Sequence, residues 1–524
     1  MIYAITKDTL SRNNQMEYDA FYQFQKRLNR SYAALKHLAQ SPSIESMPQW
    51  VSFQNTHICN LRCPHCQTHG TAEGRNHCND KRLNMDVAML KRVAEEVLPF
   101  ADEFTLTLTG EPLATPDLEN ILHLLSPFGA KLDLITNGTL LTKEKLRLLI
   151  PILKRVRISV DGATARTFES IRLGANFGKV LNRIKLLTLT CNRFPKRFKP
   201  EISLSFTIMG SNITELPDIL DIAVQVGVSL VKGDFIQIFY PDLADESVEL
   251  YKPLYNAYHA EAMGKAKKLG INLILPLPFS GVKSSRTNRV NGENTIMPVL
   301  SSDVLKSSLE PQNWLDMKRL RRDAGDLLTG ILDRQLLNVF DFRLHPLIYK
   351  LKAGFRLKPE SGLFWILWML AFSEVVVWVN RVVLKLMKLS RLIPSKTDSV
   401  VGLKDVFVKI QGKFDQELKN HCGLLEKISI KRQKRIRYCE YLHRCVYIFP
   451  SGEVSPCCVV GAPVLGNLRF GCMRDVWKGD AYNDFRNRFF SDNPVECCRG
   501  CKFIKYVAAT FFLDQIPCRR PRPI

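Results

Sequence analysis

The sequence predicts an α/β protein built on a partial (β/α)6 barrel, TIM-like but open on one side. Two observations carry that expectation. From Trp50 to about Tyr240, short runs rich in β-forming residues alternate with stretches of helical periodicity, the pattern of successive parallel βα units. Polar or glycine-containing turns close these apolar runs one after another, and in βα barrels the carboxyl ends of the strands build the functional site.

The candidate strands are residues 51–55, 104–109, 132–136, 155–160, 202–208 and 230–238. Helical patterns fall between them at 85–98, 118–125, 143–149, 177–189 and 216–226. With 524 residues there is room for two or three domains and ample core. An apolar content of 46% and a charged content of 24% are ordinary for a globular chain. The fifteen cysteines are too few for a small disulfide scaffold, and their C-x-x-C spacings argue for metal. No basic-then-apolar leader precedes them in residues 1–48. Thiolates of this kind suit a reducing cytoplasm.

The net charge of +23 favours an anionic partner: lipid headgroups, an acidic peptide or nucleic acid. Basic residues bunch at 318–322, 352–358, 381–391 and 431–437. Such runs fix the partner's sign without naming it, and no specific nucleic acid is expected.

The first candidate strand runs into Cys59-Asn60-Leu61-Arg62-Cys63-Pro64-His65-Cys66. Cys59, Cys63 and Cys66 are soft thiolates on one short loop, the ligand type that selects iron–sulfur clusters, zinc or Cu(I). A closed structural metal site wants four protein ligands, and this loop supplies three. A cluster held by three thiolates keeps one metal open to a small ligand, as catalytic sites do. The bland alternative is half of a zinc site.

This loop resembles the C-x3-C-x2-C signature of the radical S-adenosylmethionine (SAM) enzymes. The resemblance implies a [4Fe–4S] cluster on Cys59, Cys63 and Cys66 whose open iron is chelated by SAM. It implies reductive cleavage of SAM to methionine and a 5′-deoxyadenosyl radical that abstracts hydrogen from substrate, with a flavodoxin- or ferredoxin-type electron donor. Later strand ends resemble the same family. Thr109-Gly110-Glu111-Pro112 is similar to its G-G-E-P element, with Thr109 in place of the first glycine, and places Gly110 and Glu111 at the SAM amino group. Asn137 lies in the polar turn Thr136-Asn137-Gly138. Ser159 and Asp161, in Ser159-Val160-Asp161-Gly162, are implied contacts to SAM's ribose and tail. The resemblance likewise implies that Arg172, in Ile171-Arg172-Leu173-Gly174, reaches the SAM carboxylate and that Met209-Gly210-Ser211-Asn212 lies near adenine. Each turn alone is weak; their shared position at successive strand ends is the argument.

Nine more cysteines crowd the last ninety residues: Cys439, Cys445, Cys457, Cys458, Cys472, Cys497, Cys498, Cys501 and Cys518. Residues 447–458 carry a hairpin signal around Pro450-Ser451-Gly452. The stretch resembles the SPASM extension of radical SAM enzymes that mature peptides and proteins, a small cysteine-rich α+β, twitch-like domain. The resemblance implies one auxiliary [4Fe–4S] cluster on Cys439, Cys457, Cys498 and Cys501, because only Cys518 follows Cys501. Cys445 competes for a ligand place, and Cys458 and Cys497 are neighbours able to substitute. A zinc ribbon fits the same spacing. Cys78, Cys191 and Cys422 are isolated thiols.

The expected divisions are a helical extension at 1–48, the barrel at 49–280, an insertion at 281–437 and the SPASM-like domain at 438–524. Inside the insertion, seventeen largely apolar residues from Leu363 surround Ser373 and Glu374, and a basic amphipathic stretch to Arg391 follows. A span needs about twenty apolar residues, and a charge at its centre costs about 2.5–3.5 kcal/mol. Two placements remain open: the surface of an anionic membrane, which would make the protein peripherally membrane-associated, or burial in the fold. The function implied is a maturase acting on a peptide or protein side chain. The alternatives are a dehydrogenase or epimerase of a sugar or lipid-linked small molecule, and a non-catalytic zinc or iron–sulfur scaffold.

Overall fold

The computed structural model describes residues 41–71, 84–295 and 435–508 with short gaps, and scattered positions between 22 and 37. Its centre is a ten-stranded sheet: seven barrel strands in chain order, extended beyond the first of them by Cys445–Ile448, Glu453–Ser455 and Gly466–Asn467 in turn. The barrel strands are β1 (Trp50–Phe53), β2 (Glu103–Thr105), β3 (Lys131–Thr136), β4 (Leu153–Ser159), β5 (Glu201–Ile208), β6 (Leu230–Phe235) and β7 (Asn272–Ile274). Every neighbouring pair among these seven is parallel. A parallel sheet is stable only with its faces covered, and the intervening helices do this.

The helices start where side chains can cap them. Asp86 accepts the Met89 N–H at the head of Val87–Val97, and Asn176 accepts the Lys179 N–H at the head of Phe177–Cys191. The side-chain oxygen satisfies an N–H that has no partner within the helix. Helix Val87–Val97 buries Met89, Leu90, Val93, Ala94 and Val97, a single stripe at helical spacing that packs into the core.

The six anticipated strands all form, most of them shifted by a residue or two. β6 stops at Phe235, short of the expected 238. A seventh parallel strand, β7, and helices Ala165–Ile171 and Lys252–Leu269 were not legible in the pattern. A small antiparallel hairpin, β8 (Asn288–Val290) and β9 (Glu293–Thr295), follows. The insertion beyond it, with 363–391, lies outside the described residues, as do Cys78, Cys422 and Cys518. Among the described residues no helix is long and apolar enough to cross a membrane.

The chain returns as β10 (Arg435–Tyr438), helix Glu440–Arg444, β11 (Cys445–Ile448), β12 (Glu453–Ser455) and β13 (Gly466–Asn467). β11 and β12 form the hairpin expected around Gly452. Gly452 sits at φ +84, where a Cβ would lie 2.8 Å from Asn467 Oδ1, so only glycine fits the turn. This hairpin continues the barrel sheet: β11 lies parallel to β1, with Trp50 opposite Cys445 and Phe53 opposite Ile448. Helices Met473–Lys478 and Asp480–Phe490 then pack back, and β14 (Lys505–Ala508) pairs with β10. The Trp477 Nε1–H donates to Ser46 O at 2.9 Å, and the Met473 N–H donates to Glu96 Oε2 at 2.7 Å, which fastens the C-terminal region to the barrel.

Candidate functional site

The cysteine loop leaves the carboxyl end of β1 and is pinned from four directions. The Glu111 N–H donates to Ile58 O at 2.7 Å, and the Arg62 N–H donates to Leu173 O at 3.0 Å. Asn60 is joined to the end of β3 by a closed set of bonds. Asn137 Nδ2 donates to Asn60 Oδ1 at 3.0 Å, Asn60 Nδ2 donates to Thr139 Oγ1 at 2.8 Å, and the Thr139 hydroxyl donates to Asn137 Oδ1 at 2.6 Å. From beyond β6, the Tyr240 hydroxyl donates to the Gln67 carbonyl. Gly110 is forced by the first of these approaches: at φ +81 its Cβ would meet Ile58 O at 2.8 Å.

Cys63 is buried, and Cys59 and Cys66 are half-buried. Burial pushes the Cys59 thiol up to about 12. It raises Cys63 too, against the opposing charge of Arg172. Thiols in such surroundings lose their protons to a bound metal rather than to water. The His69 N–H donates to Cys66 Sγ at 3.4 Å.

Glu111 is almost fully buried. Its carboxylate accepts the Thr136 hydroxyl at 2.6 Å, the Asn137 N–H at 2.8 Å and the Leu113 N–H at 3.2 Å. Burial raises its pKa, and these three donors pull it back. A carboxylate has about four acceptor positions, so Glu111 already spends most of its capacity holding the end of β3. Thr109 and Gln54 enclose His57, with Gln54 Nε2 2.7 Å from His57 Nε2.

Ser159 closes β4, half-buried, and Asp161 just beyond it is fully buried. Asp161 Oδ1 accepts the Thr207 N–H at 2.7 Å and its carbonyl accepts Asn212 Nδ2 at 3.0 Å. Asp161 Oδ2 takes Arg172 Nε at 2.6 Å and Nη2 at 2.5 Å. Arg172 Nη1 lies 3.8 Å from Cys63 Sγ. His65 Nε2 stands 3.7 Å from the same carboxylate, yet burial drives that imidazole down to about 4. It is neutral, and the contact is not an ion pair. Helix Ala165–Ile171 ends at Arg172 and thereby aims it; at its other end buried Glu215 accepts the Ala163 N–H at 2.6 Å. The sequence singled out Glu111, Asn137, Asp161 and Arg172 but missed Asn60, Thr139, Thr207 and Tyr240, whose roles depend on contacts remote in the chain.

The C-terminal cysteines converge separately. One cavity is lined by Cys439, Cys457, Cys498 and Cys501 together with Cys497, inside a wall of Leu442, Phe485, Phe489, Phe503 and Ile504. Cys445 does not line it; this thiol is buried at the start of β11 and faces Glu440 O at 3.9 Å. Cys458 is exposed. Burial lifts Cys439 to about 11 and Cys457 to about 12. Among the described residues, no three His, Cys, Asp or Glu side chains stand in ligating array. The fit is therefore one of donor chemistry: thiols without competing carboxylates, in a largely apolar wall, suit a soft iron–sulfur centre.

The family model described as the radical SAM superfamily matches residues 55–191, and that of the SPASM iron–sulfur cluster-binding domain matches 439–502. Residues 55–191 are a radical SAM domain and residues 439–502 a SPASM domain. The radical SAM domain implies a [4Fe–4S] cluster and SAM, and the SPASM domain implies auxiliary iron–sulfur binding. The AdoMet-dependent heme synthase of Methanosarcina barkeri is 28% identical over 187 residues, 35% of this chain and 50% of its own length. The antilisterial bacteriocin subtilosin biosynthesis protein AlbA of Bacillus subtilis is 30% identical over 148 residues, 27% of this chain and 31% of its own. The chain thus spans half or less of these two curated relatives. Among solved structures, Streptococcus suis SuiB covers 84% of the chain and 68% of its own, at 10% identity and a TM-score of 0.42.

Proposed function

We propose that this chain cleaves SAM reductively and oxidises or cross-links a peptide or protein side chain. In this reading Cys59, Cys63 and Cys66 hold the SAM-cleaving cluster. Gly110, Glu111, Asn137, Ser159, Asp161 and Arg172 shape the seat beside it. Cys439, Cys457, Cys498 and Cys501 hold one auxiliary [4Fe–4S] cluster, with Cys497 and not Cys445 as the neighbour able to replace one of them. Bound there, cluster and SAM would supply a 5′-deoxyadenosyl radical strong enough to take hydrogen from unactivated carbon. The chain's own residues position the seat: Glu111 fixes Asn137, Asn137 fixes Asn60, and Asn60 fixes the turn that carries Cys59.

The observation that supports this most is the convergence of groups from the ends of β2, β3, β4 and β6 on a three-thiol loop at the end of β1. The peptide substrate is favoured by the name of the bacteriocin-biosynthesis relative and by the +23 charge, which suits an acidic leader or substrate. A small-molecule substrate is the second reading, favoured by the heme-synthase relative. The electron would come from a flavodoxin- or ferredoxin-type donor in the cytoplasm. The test is anaerobic reconstitution of the full chain with iron and sulfide counting, reduction, and detection of 5′-deoxyadenosine. Wild type should release it and Cys63→Ala should not. A fully loaded wild type that leaves SAM intact, or a sample that takes up zinc in place of iron, returns the protein to the scaffold reading.

A further inference from the structure

We propose that Arg172 acts on the iron–sulfur centre and not on the SAM carboxylate: its guanidinium hydrogen-bonds the Cys63 thiolate and raises the reduction potential of the cluster held there. This rests on the cluster assignment above and changes the role of one residue within it.

Three of the five guanidinium N–H groups are placed. Nε and Nη2 both go to Asp161 Oδ2, at 2.6 and 2.5 Å, and Nη1 points at Cys63 Sγ, 3.8 Å away. The anchor cannot yield easily. Asp161 has 1% of its side chain exposed, its second oxygen accepts the Thr207 N–H, and its carbonyl accepts Asn212. Arg172 itself has 14% exposed and stands at the end of helix Ala165–Ile171. The adjacent Leu173 carbonyl accepts the Arg62 N–H next to Cys63, so the cation and the thiolate belong to one rigid unit. A fork held this way has little freedom to swing toward a second carboxylate. Asp161 is likewise consumed as an anchor rather than left open to a ribose.

A reduced cluster carries one more negative charge than an oxidised one, and a donor to a ligating sulfur favours the reduced form. Because Asp161 neutralises the guanidinium's net charge, the effect is local to one Fe–S bond. The expected size is a tenfold change in the reduced-to-oxidised ratio at fixed potential, about 59 mV for one electron.

The experiment is a redox titration of the reconstituted full chain without SAM, following the spin signal that Cys63→Ala lacks, in wild type, Arg172→Gln and Arg172→Lys. SAM binding is measured separately by equilibrium dialysis. Arg172→Gln should lower the reduced fraction about tenfold at fixed potential, while SAM affinity changes less than threefold. An unchanged potential with a tenfold or greater loss of SAM binding overturns the proposal and gives Arg172 to the carboxylate. If Arg172→Gln does not retain iron, Arg172→Lys, which keeps a cation against Asp161, decides by the same criterion. If neither loads, the wild type decides: its Fe–S(Cys) stretching bands should shift on H/D exchange, and unshifted bands overturn the idea. A potential shift in a protein that nevertheless leaves SAM uncleaved sustains this inference while removing the proposed function.

Discussion

Acid should loosen the joint between the N-terminal segment and the SPASM domain through two buried histidines. His37 and His443 face each other with Nδ1 atoms 2.6 Å apart, so one ring donates and the other accepts. Two neutral rings carry two N–H groups, so beyond the shared bond only one outer nitrogen donates: His37 Nε2 lies 3.4 Å from Arg437 O, and His443 Nε2 lies 3.3 Å from Ser41 O. Tyr438 and Phe490 pack on the rings, and the cations of Arg444 and Arg486 stand nearby. Burial drives His37 down from 6.5 to about 3 and His443 well below 6.5. The folded pair is thus neutral where the unfolded chain binds protons. Its stabilising contribution is complete above pH 6.5 and is lost as pH falls from there toward about 3. His37 forfeits about 1.36 kcal/mol per pH unit below 6.5, about 2 kcal/mol at pH 5, and His443 adds to the loss in the same direction. Urea unfolding of the metal-free chain between pH 7.5 and 5, compared with a His37→Gln/His443→Gln double variant, isolates this from the histidines of the cysteine loop. The wild type should show the steeper fall by at least one proton. Parallel slopes in the two proteins would refute the reasoning.

Three further outcomes are expected. Glu111→Gln places an amide where the Asn137 N–H donates, and a buried donor left facing another costs about 2–4 kcal/mol; thermal melting should fall accordingly, with faster loss of iron from Cys59, Cys63 and Cys66. Trp477→Phe removes the buried bond to Ser46 O and should lower unfolding free energy by about 1–3 kcal/mol in denaturant titrations. Cys457→Ser should lower reconstituted iron by about four per chain whereas Cys445→Ser should not, since only the former lines the thiol cavity; equal iron in both variants would count against the ligand assignment.

Local chemistry was legible in the chain, and long-range pairing was not. The three thiols at the end of β1, the polar strand ends and the Gly452 hairpin all follow from short spacings and turn residues. Helix Ala165–Ile171 escaped because Phe168 and Ile171 are its only large apolar residues and mark no face, and Lys252–Leu269 escaped because its charges are spread around its circumference. Spacing left Cys445 competing for a ligand place. Strand register separates it from the others: β11 buries Cys445 beside β1, and the chain after β12 carries Cys457 to the cavity. Arg172 was singled out by its neighbourhood in sequence, yet its partner thiol lies 109 positions earlier and only the fold reveals it.

The insertion of β11 beside β1 also bears on biogenesis. The strand that feeds the cysteine loop is an interior strand, and one of its two neighbours is made far later: the Arg444–Gln49 bond at its foot joins residues 395 apart. Until the ribosome has released that distant segment, β1 presents a bare hydrogen-bonding edge, the kind of surface on which chains aggregate. Contacts of such separation also form slowly. Metal loading at Cys59, Cys63 and Cys66 in a nascent or C-terminally truncated chain would therefore occur on a half-supported platform, and shortened versions of this protein should be recovered as insoluble material.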